Sequence, residues 1–294
     1  MKTQTFLHLD CIELTNDTLT LLITQSVGPR VLSLRYRGGE NLFAELPDLT
    51  TETPVGTYHF YGGHRLWRAP EDLSLTYLPD DAPVEMAEIK KGVKIIQPTD
   101  SAGVQKTITL TLEGASVTLE HTLTNHCPTP IVCAPWAITQ LKPGGVGILP
   151  QSTEATGLLP NRQIALWPYT DICSPHIVWG NRYTLVQATM LGGALKIGFP
   201  NPRGWLAYWR NGILFVKKTV FDPQATYLDN GSSSECYCNA QFLELETLGG
   251  VTTLHEGETV SHIETWEVYG NVEKPGDEEE VDELIKKYGL ISSV

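Results

Sequence analysis

Two carboxylates two residues apart, Glu244 and Glu246, stand in an otherwise apolar run, NAQFLELET at residues 239–247. Phe242, Leu243 and Leu245 alternate with them, which is the pattern of a strand. Alternation puts both acids on one face of a sheet, about 7 Å apart at the strand rise. Acids on such a face are costly unless something meets them: water, a basic side chain, a metal or a polar ligand such as a sugar. The plain alternative is an edge strand whose outer face is solvated.

A second cluster is YGGHRLWRAPE at residues 61–71, which lies between turn-rich segments and reads as a loop. Loops on a sheet scaffold are where binding residues collect. His64 and Arg65 are candidate binding residues, since a guanidinium offers a planar fork to adjacent hydroxyls or a carboxylate. Trp67 joins them as a candidate stacking ring. The competing reading keeps His64 bonded to backbone and Trp67 in the core. Lys217, in LFVKKTVF, alternates with apolar neighbours, so either it or Lys218 points inward. An inward lysine near Glu244 or Glu246 would form an ion pair, structural as readily as functional. Arg30 follows a turn and is a further candidate for the site. Glu235, Asn239 and Glu244 offer an alternative, an oxygen-rich calcium set. His255 and His262 read as surface or core residues.

The elements that must position these groups are short strands. Residues 19–46 give two or three strands with turns at Gly28-Pro29 and Gly38-Gly39. VKIIQP, VQKTITLTLEG and SVTLEHTLTNH alternate regularly, with Gly114-Ala115 as a hairpin turn. IVCAPWAITQL, YTLVQATM, ALKIGF, GWLAYWRNGILFVKKTVF and HIETWEVYG continue the pattern, while residues 142–175 are rich in Gly and Pro and read as long loops. Only residues 277–288 look helical: Val281, Leu284 and Ile285 lie at helix spacing, with acids first and Lys286-Lys287 last. So many strands with turns between them imply a sandwich or barrel. One β domain over residues 1–272, followed by an acidic helix and tail over 273–294, is the simplest organisation.

Composition narrows the function. The chain has 294 residues, 41% hydrophobic and 19% charged, enough for a sizeable core. A net charge of −13 argues against nucleic acid or an anionic membrane as partner. The N-terminus shows no long apolar stretch, no run reaches the length of a membrane helix, and the expectation is a cytoplasmic protein. The six cysteines are scattered without a CxxC pair, so reduced thiols are expected; Cys236 and Cys238 read as packing thiols. No metal or cofactor is expected beyond the calcium alternative, and nothing fixes the oligomeric state.

Several segments, taken in order, resemble a known family. Gly28-Pro29-Arg30-Val31-Leu32-Ser33-Leu34, Gly38-Gly39 and Asn41-Leu42-Phe43 are similar to the opening of aldose 1-epimerases (galactose mutarotases). Leu123-Thr124-Asn125 with Pro128-Thr129-Pro130 is similar to a later strand of that family, and Leu245-Glu246-Thr247 to its "L-E-T" segment. The resemblance spans about residues 19–270. The GGHRLW and FLELETLG segments look like a bacterial branch of the galactose mutarotase-like superfamily.

The resemblance implies an all-β, antiparallel galactose mutarotase-like β-supersandwich with a short C-terminal helix. It also implies a small-molecule carbohydrate as ligand. Mutarotation needs a base at the C1 hydroxyl and an acid at the ring oxygen. By the motif, Glu246 falls at the base position. The family's histidine acid falls at Trp136, an indole that cannot serve as a general acid but can stack on a pyranose face. His121 and His126 lie nearby in sequence without matching that position. The segment around His64 and Arg65 resembles the one supplying a basic sugar-binding residue, and Asp171 is a candidate for the hydroxyl-binding aspartate. Two functions follow: an aldose 1-epimerase-like isomerase with Glu246 as base, or a non-catalytic carbohydrate-binding or sensor protein. Glu246 as base, with His64, Arg65, Trp67, Trp136, Glu244, Lys217 and Arg30 as binding residues, is the expected set.

Overall fold

A computed structural model describes residues 2–290. Their strands form two large antiparallel sheets and one hairpin. The larger sheet has 11 strands. Its centre runs, in spatial order, Arg30–Tyr36, His64–Ala69, Ile131–Leu141, Leu243–Leu248, Ser234–Asn239 and Ala194–Phe199. The second sheet has 10 strands, with Trp205–Arg210, Ile213–Thr219, Thr259–Gly270 and Ser116–Asn125 at its middle. The inward-facing residues of both sheets meet in one core that includes Leu66, Leu141, Leu243, Leu245, Phe215 and Trp266. This is the expected all-β sandwich, with inward and outward residues alternating along each strand.

The turn expected at Gly114-Ala115 is present: Glu113 pairs with Ser116, and Gly114 has φ 57°. The helix runs Glu278–Tyr288, one residue inside the expected start. Asp277 caps it by accepting from the Glu280 amide at 2.9 Å, and Gly289 ends it in the left-handed region. Val281, Leu284 and Ile285 bury its apolar face against Val146, Tyr183, Trp205 and Leu214 of the second sheet. No helix among the described residues is long and apolar enough to cross a membrane.

Two segments differ from the sequence reading. Val146–Pro150, expected within a loop, is a fully buried strand of the second sheet; flanking glycines and a proline disguise it. More consequentially, His64–Ala69 is a central strand, not a loop. Its polar residues hide the alternation because both of its faces carry polar partners. Gly62 and Gly63 admit the chain to the sheet. They have φ of 90° and 70°, and a Cβ would lie 2.0 Å from the Ala44 carbonyl oxygen and 2.2 Å from that of Val31.

Candidate functional site

A cleft of about 310 Å³ opens on the outer face of the larger sheet, the face turned away from the second sheet. That is the small end of the range for small-molecule sites. Strand register builds its floor. Arg65 is opposite Ile138, Ile138 opposite Glu246, and Glu246 opposite Glu235. One row away, Trp67 faces Trp136; on the other side, Glu244 faces Tyr237, which faces Lys196. Phe60, Tyr77, Tyr169 and Phe242 complete a largely aromatic wall. The rings meet edge to face, Trp67 and Trp136 with centroids 5.3 Å apart, an arrangement that holds walls rigid.

Two charge clusters lie in this frame. Arg65 donates to Glu244 Oε1 at 3.0 Å, and its guanidinium lies over the Trp67 ring at 4.1 Å. Arg65 Nε and Nη1 have no hydrogen-bond partner in the protein. Burial pushes the Glu244 carboxyl up, Arg65 opposes this and Glu246 adds to it, leaving it at about 7. Deeper down, Lys196 Nζ lies 2.7 Å from Glu235 Oε2 and 3.1 Å from Glu246 Oε2, and between the rings of Trp136 and Trp167 at 4.6 and 4.7 Å. Burial disfavours the lysine charge, but Glu246 and Glu235 outweigh it and raise Lys196 well above its ordinary value. Burial also raises Glu235 well above the carboxylate range, Lys196 opposing and Glu246 reinforcing. Neither Glu235 oxygen meets a donor in hydrogen-bond geometry. One lysine therefore serves two carboxyl groups.

Arg65, Trp67, Trp136 and Glu244 of the expected set line the cleft. Glu246 faces it but lies underneath, with no exposed surface. The Trp136 Nε1–H donates to Glu246 Oε2 at 2.7 Å, and Lys196 covers the same oxygen. Arg30 lies beside the cleft rather than in it. It forms a buried ion pair with Asp80 at 2.8 Å and donates to the Tyr58 hydroxyl, which also accepts from Trp67 Nε1–H at 2.8 Å. Arg30 thus fixes the Trp67 wall through Tyr58.

His64 and Lys217 are on the opposite side of the sheet. Neighbours on a strand point to opposite faces, so with Arg65 in the cleft, His64 enters the core. Lys217 reaches the same layer from the second sheet. It pairs with Glu264 at 2.8 Å, not with Glu244 or Glu246, and donates to the carbonyls of Ala137 and Leu245. Burial lowers Lys217, with Glu264 opposing. Burial pushes Glu264 up, but Lys217, His121 and His262 prevail and hold it below its ordinary value. The ammonium's four oxygen contacts favour the ionised pair over a neutral one.

Hydrogen-bond complementarity fixes the proton positions of this layer. His121 Nδ1 faces the His262 carbonyl at 3.1 Å, so it carries the proton. His121 Nε2 must then accept from His64 Nε2–H at 2.7 Å, and His64 Nδ1 accepts from Thr139 Oγ1 at 2.9 Å. Lys217 donates to Thr139 at 3.1 Å and closes the chain. Ligand atoms of His64, His121 and Glu264 all lie within 4.8 Å of one another. Their lone pairs are already used, however, and an ammonium sits on the carboxylate. The set is a polar strut between the sheets, not a cation site. The calcium alternative fails similarly: Glu235 faces Lys196, Glu244 faces Arg65, and Asn239 Oδ1 accepts from the Gln241 and Phe242 amides. Asp171 caps a turn through the Cys173 amide and is exposed.

Lys196, Tyr169, Tyr237, Tyr77, Glu71 and Phe60 line the cleft without having been singled out. Lys196 carried a usable signal: one lysine amid the apolar alternation of ALKIGF, the same pattern that drew attention to Lys217. The aromatic residues come from distant segments and carried none.

No protein-family model matches the chain, and no curated protein matches it. Solved structures do. The Slr1438 protein from Synechocystis sp. PCC 6803 aligns over 92% of this chain and 100% of its own, at 12% identity and a TM-score of 0.58. A galactose mutarotase-like protein from Lactobacillus casei aligns over 88% and 100%, at 11% identity and a TM-score of 0.58. A galactose mutarotase related enzyme from Lactobacillus acidophilus aligns over 90% and 99%, at 9% identity and a TM-score of 0.54. The fold is therefore galactose mutarotase-like. At these identities the likeness concerns architecture.

Proposed function

We propose that this protein binds a carbohydrate in the aromatic cleft of its larger sheet, with Arg65 and Glu244 on the floor and Trp67 and Trp136 in the wall. The observation that carries the reading is the pairing of aromatic rings with the Glu244 carboxylate, which reaches the cleft and is held by Arg65. Pyranose rings present apolar faces and a rim of hydroxyls, and sugar sites match them with aromatic walls and a few convergent polar groups. Glu244 accepts from hydroxyls, and Arg65 holds its carboxylate in place from below.

The isomerase reading assigns Glu246 as base at C1. In its support stand the sequence resemblance and a related Lactobacillus acidophilus fold described as an enzyme. Against it stands the burial of Glu246 beneath Trp136 and Lys196. We therefore favour binding without proton transfer by Glu246. Calorimetry across a panel of aldoses tests binding, and polarimetry or exchange NMR of the anomers tests catalysis. Saturable binding lost in Arg65→Met, with no accelerated anomer exchange, is expected. Exchange accelerated by the chain and abolished in Glu246→Gln would reverse the assignment.

A further inference from the structure

We propose a second ligand site: a groove of about 620 Å³ beside the Gly249-Gly250 turn that takes a neutral, hydroxyl-rich molecule through His262 Nδ1. The groove lies apart from the aromatic cleft. It shares none of that cleft's lining residues and is formed by the loop after Leu243–Leu248 and by residues of Thr259–Gly270.

Its central feature is a histidine with one nitrogen committed and the other free. Glu264 accepts from Trp266 Nε1–H at 3.0 Å, from Lys217 and from the Thr247 hydroxyl. Having given its proton to Glu264, Thr247 Oγ1 must accept from His262 Nε2–H at 2.7 Å. The ring is thereby fixed as the Nε2–H tautomer, with a bare lone pair on Nδ1. Burial pushes His262 down to about 3, so the ring stays neutral. The residue is only 6% exposed, yet it lines the groove, and Nδ1 has no protein partner. Gly249 keeps that atom uncovered: a Cβ there would stand 3.6 Å from Nδ1.

A lone pair held in fixed orientation toward the groove accepts from a donor that enters there. The groove's other polar groups define the ligand. Tyr227 offers a hydroxyl proton, since its oxygen accepts from the Asp222 amide, and Thr219 and Thr252 offer acceptor oxygens, since each donates to a backbone carbonyl. Lys218 is already paired with Glu267 at 2.7 Å, and the exposed Asp222 caps a turn through the Gln224 amide. A charged ligand finds no net counter-charge there. A polyhydroxylated neutral molecule of the saccharide or polyol class finds both donors and acceptors. This site stands independently of the aromatic cleft.

The test follows the ring nitrogens of His262 by long-range ¹⁵N–¹H NMR during titration with maltose, cellobiose, lactose and glycerol. A saturable shift of Nδ1 with at least one of them, and an unchanged Nε2–H tautomer, is expected. Arg65→Met, which disables the other cleft, leaves this shift in place; its loss there would assign the effect to the aromatic cleft and overturn the proposal. Gly249→Ala retains the histidine and places a methyl against Nδ1. Its backbone φ is not in the left-handed region, and the methyl also meets Pro135 Cδ at 3.1 Å, so a small shift accompanies it. Affinity should fall about tenfold, the upper scale of one lost neutral hydrogen bond. Absence of any His262 shift with all four probes, or full affinity in Gly249→Ala, overturns the proposal.

Discussion

Lys217 ties the back of the cleft floor to the second sheet, and its removal gives a stability change with a defined pH dependence. Lys217→Met leaves Glu264 fully buried with only the Thr247 and Trp266 donors. An unpaired carboxylate in that position takes up a proton instead. Against an ordinary value of 4.5, protonation at pH 7 spans two and a half units at about 1.36 kcal/mol each, or about 3.4 kcal/mol. At pH 5 the same calculation gives about 0.7 kcal/mol. In the parent protein Glu264 is held below its unfolded value, so its contribution is fully present above that value and lost only as pH falls through the folded one. It is flat between pH 5 and 7. In the variant the folded value is raised, so stability falls as pH rises across that window. The loss of bonds to the Ala137 and Leu245 carbonyls adds a penalty that does not vary with pH. Urea unfolding at pH 5 and pH 7 should therefore show the deficit growing by about 2.7 kcal/mol. Lys217→Met/Glu264→Gln should abolish that growth. A deficit equal at both pH values would refute the buried ion pair.

Glu244, at about 7, predicts that a ligand donating hydroxyls to it binds about tenfold more tightly at pH 8 than at pH 6; calorimetry should show Glu244→Gln binding weakly at both. Because its folded value is raised, the same carboxyl lowers stability as pH rises from the unfolded value towards 7, and Glu244→Gln should remove that slope in urea unfolding. Glu244→Gln should also reduce sugar affinity more than Glu246→Gln, because only Glu244 reaches the cleft surface; the opposite order in calorimetry would mean that Glu246 is uncovered on binding. Arg30→Met strands the buried Asp80 and should cost about 3–5 kcal/mol by denaturation. It should also loosen Tyr58 enough to shift Trp67 emission.

How far the sequence reached depended on whether alternation was visible. Long strands with one apolar and one polar face, such as Val104–Glu113 and Ser116–Asn125, were plain from their period. The capped helix was plain from Asp277, its heptad-like apolar residues and its terminal lysines. The pairing of Glu244 with Glu246 on one face was legible for the same reason. The face of His64 was not. HRLWRA places a histidine and then an arginine on successive residues, and both are buried. Parity assigns them to opposite faces once the segment is known to be a strand, but nothing local says so, because the partners of His64 lie 57 and 75 residues away. The match of Lys217 to Glu264 was equally invisible, since it joins two strands of the second sheet, Ile213–Thr219 and Thr259–Gly270, whose pairing and register no local pattern states.

The covering of Glu246 bears directly on what the cleft can do. A base at C1 must come within hydrogen-bond reach of the hydroxyl, about 2.6–3.2 Å. Glu246 can do so only if Trp136 swings away. That motion breaks an indole hydrogen bond to a charged oxygen, about 1.5–3 kcal/mol, and a cation–π contact with Lys196, about 0.5–2 kcal/mol. The sum, about 2–5 kcal/mol, limits an opened form to between about 3% and 0.02% of molecules. Trp136 is further held against Trp67, Trp67 bonds to Tyr58, and Tyr58 to Arg30 with its partner Asp80. Any sugar that engages Glu246 must repay this opening from its own contacts, which lowers apparent affinity by the same factor. A sugar that stacks on Trp136 in place and bonds to Glu244 would meet no such barrier. The wall on which a sugar would stack in the proposed site is thus the same one that withholds the carboxylate beneath it.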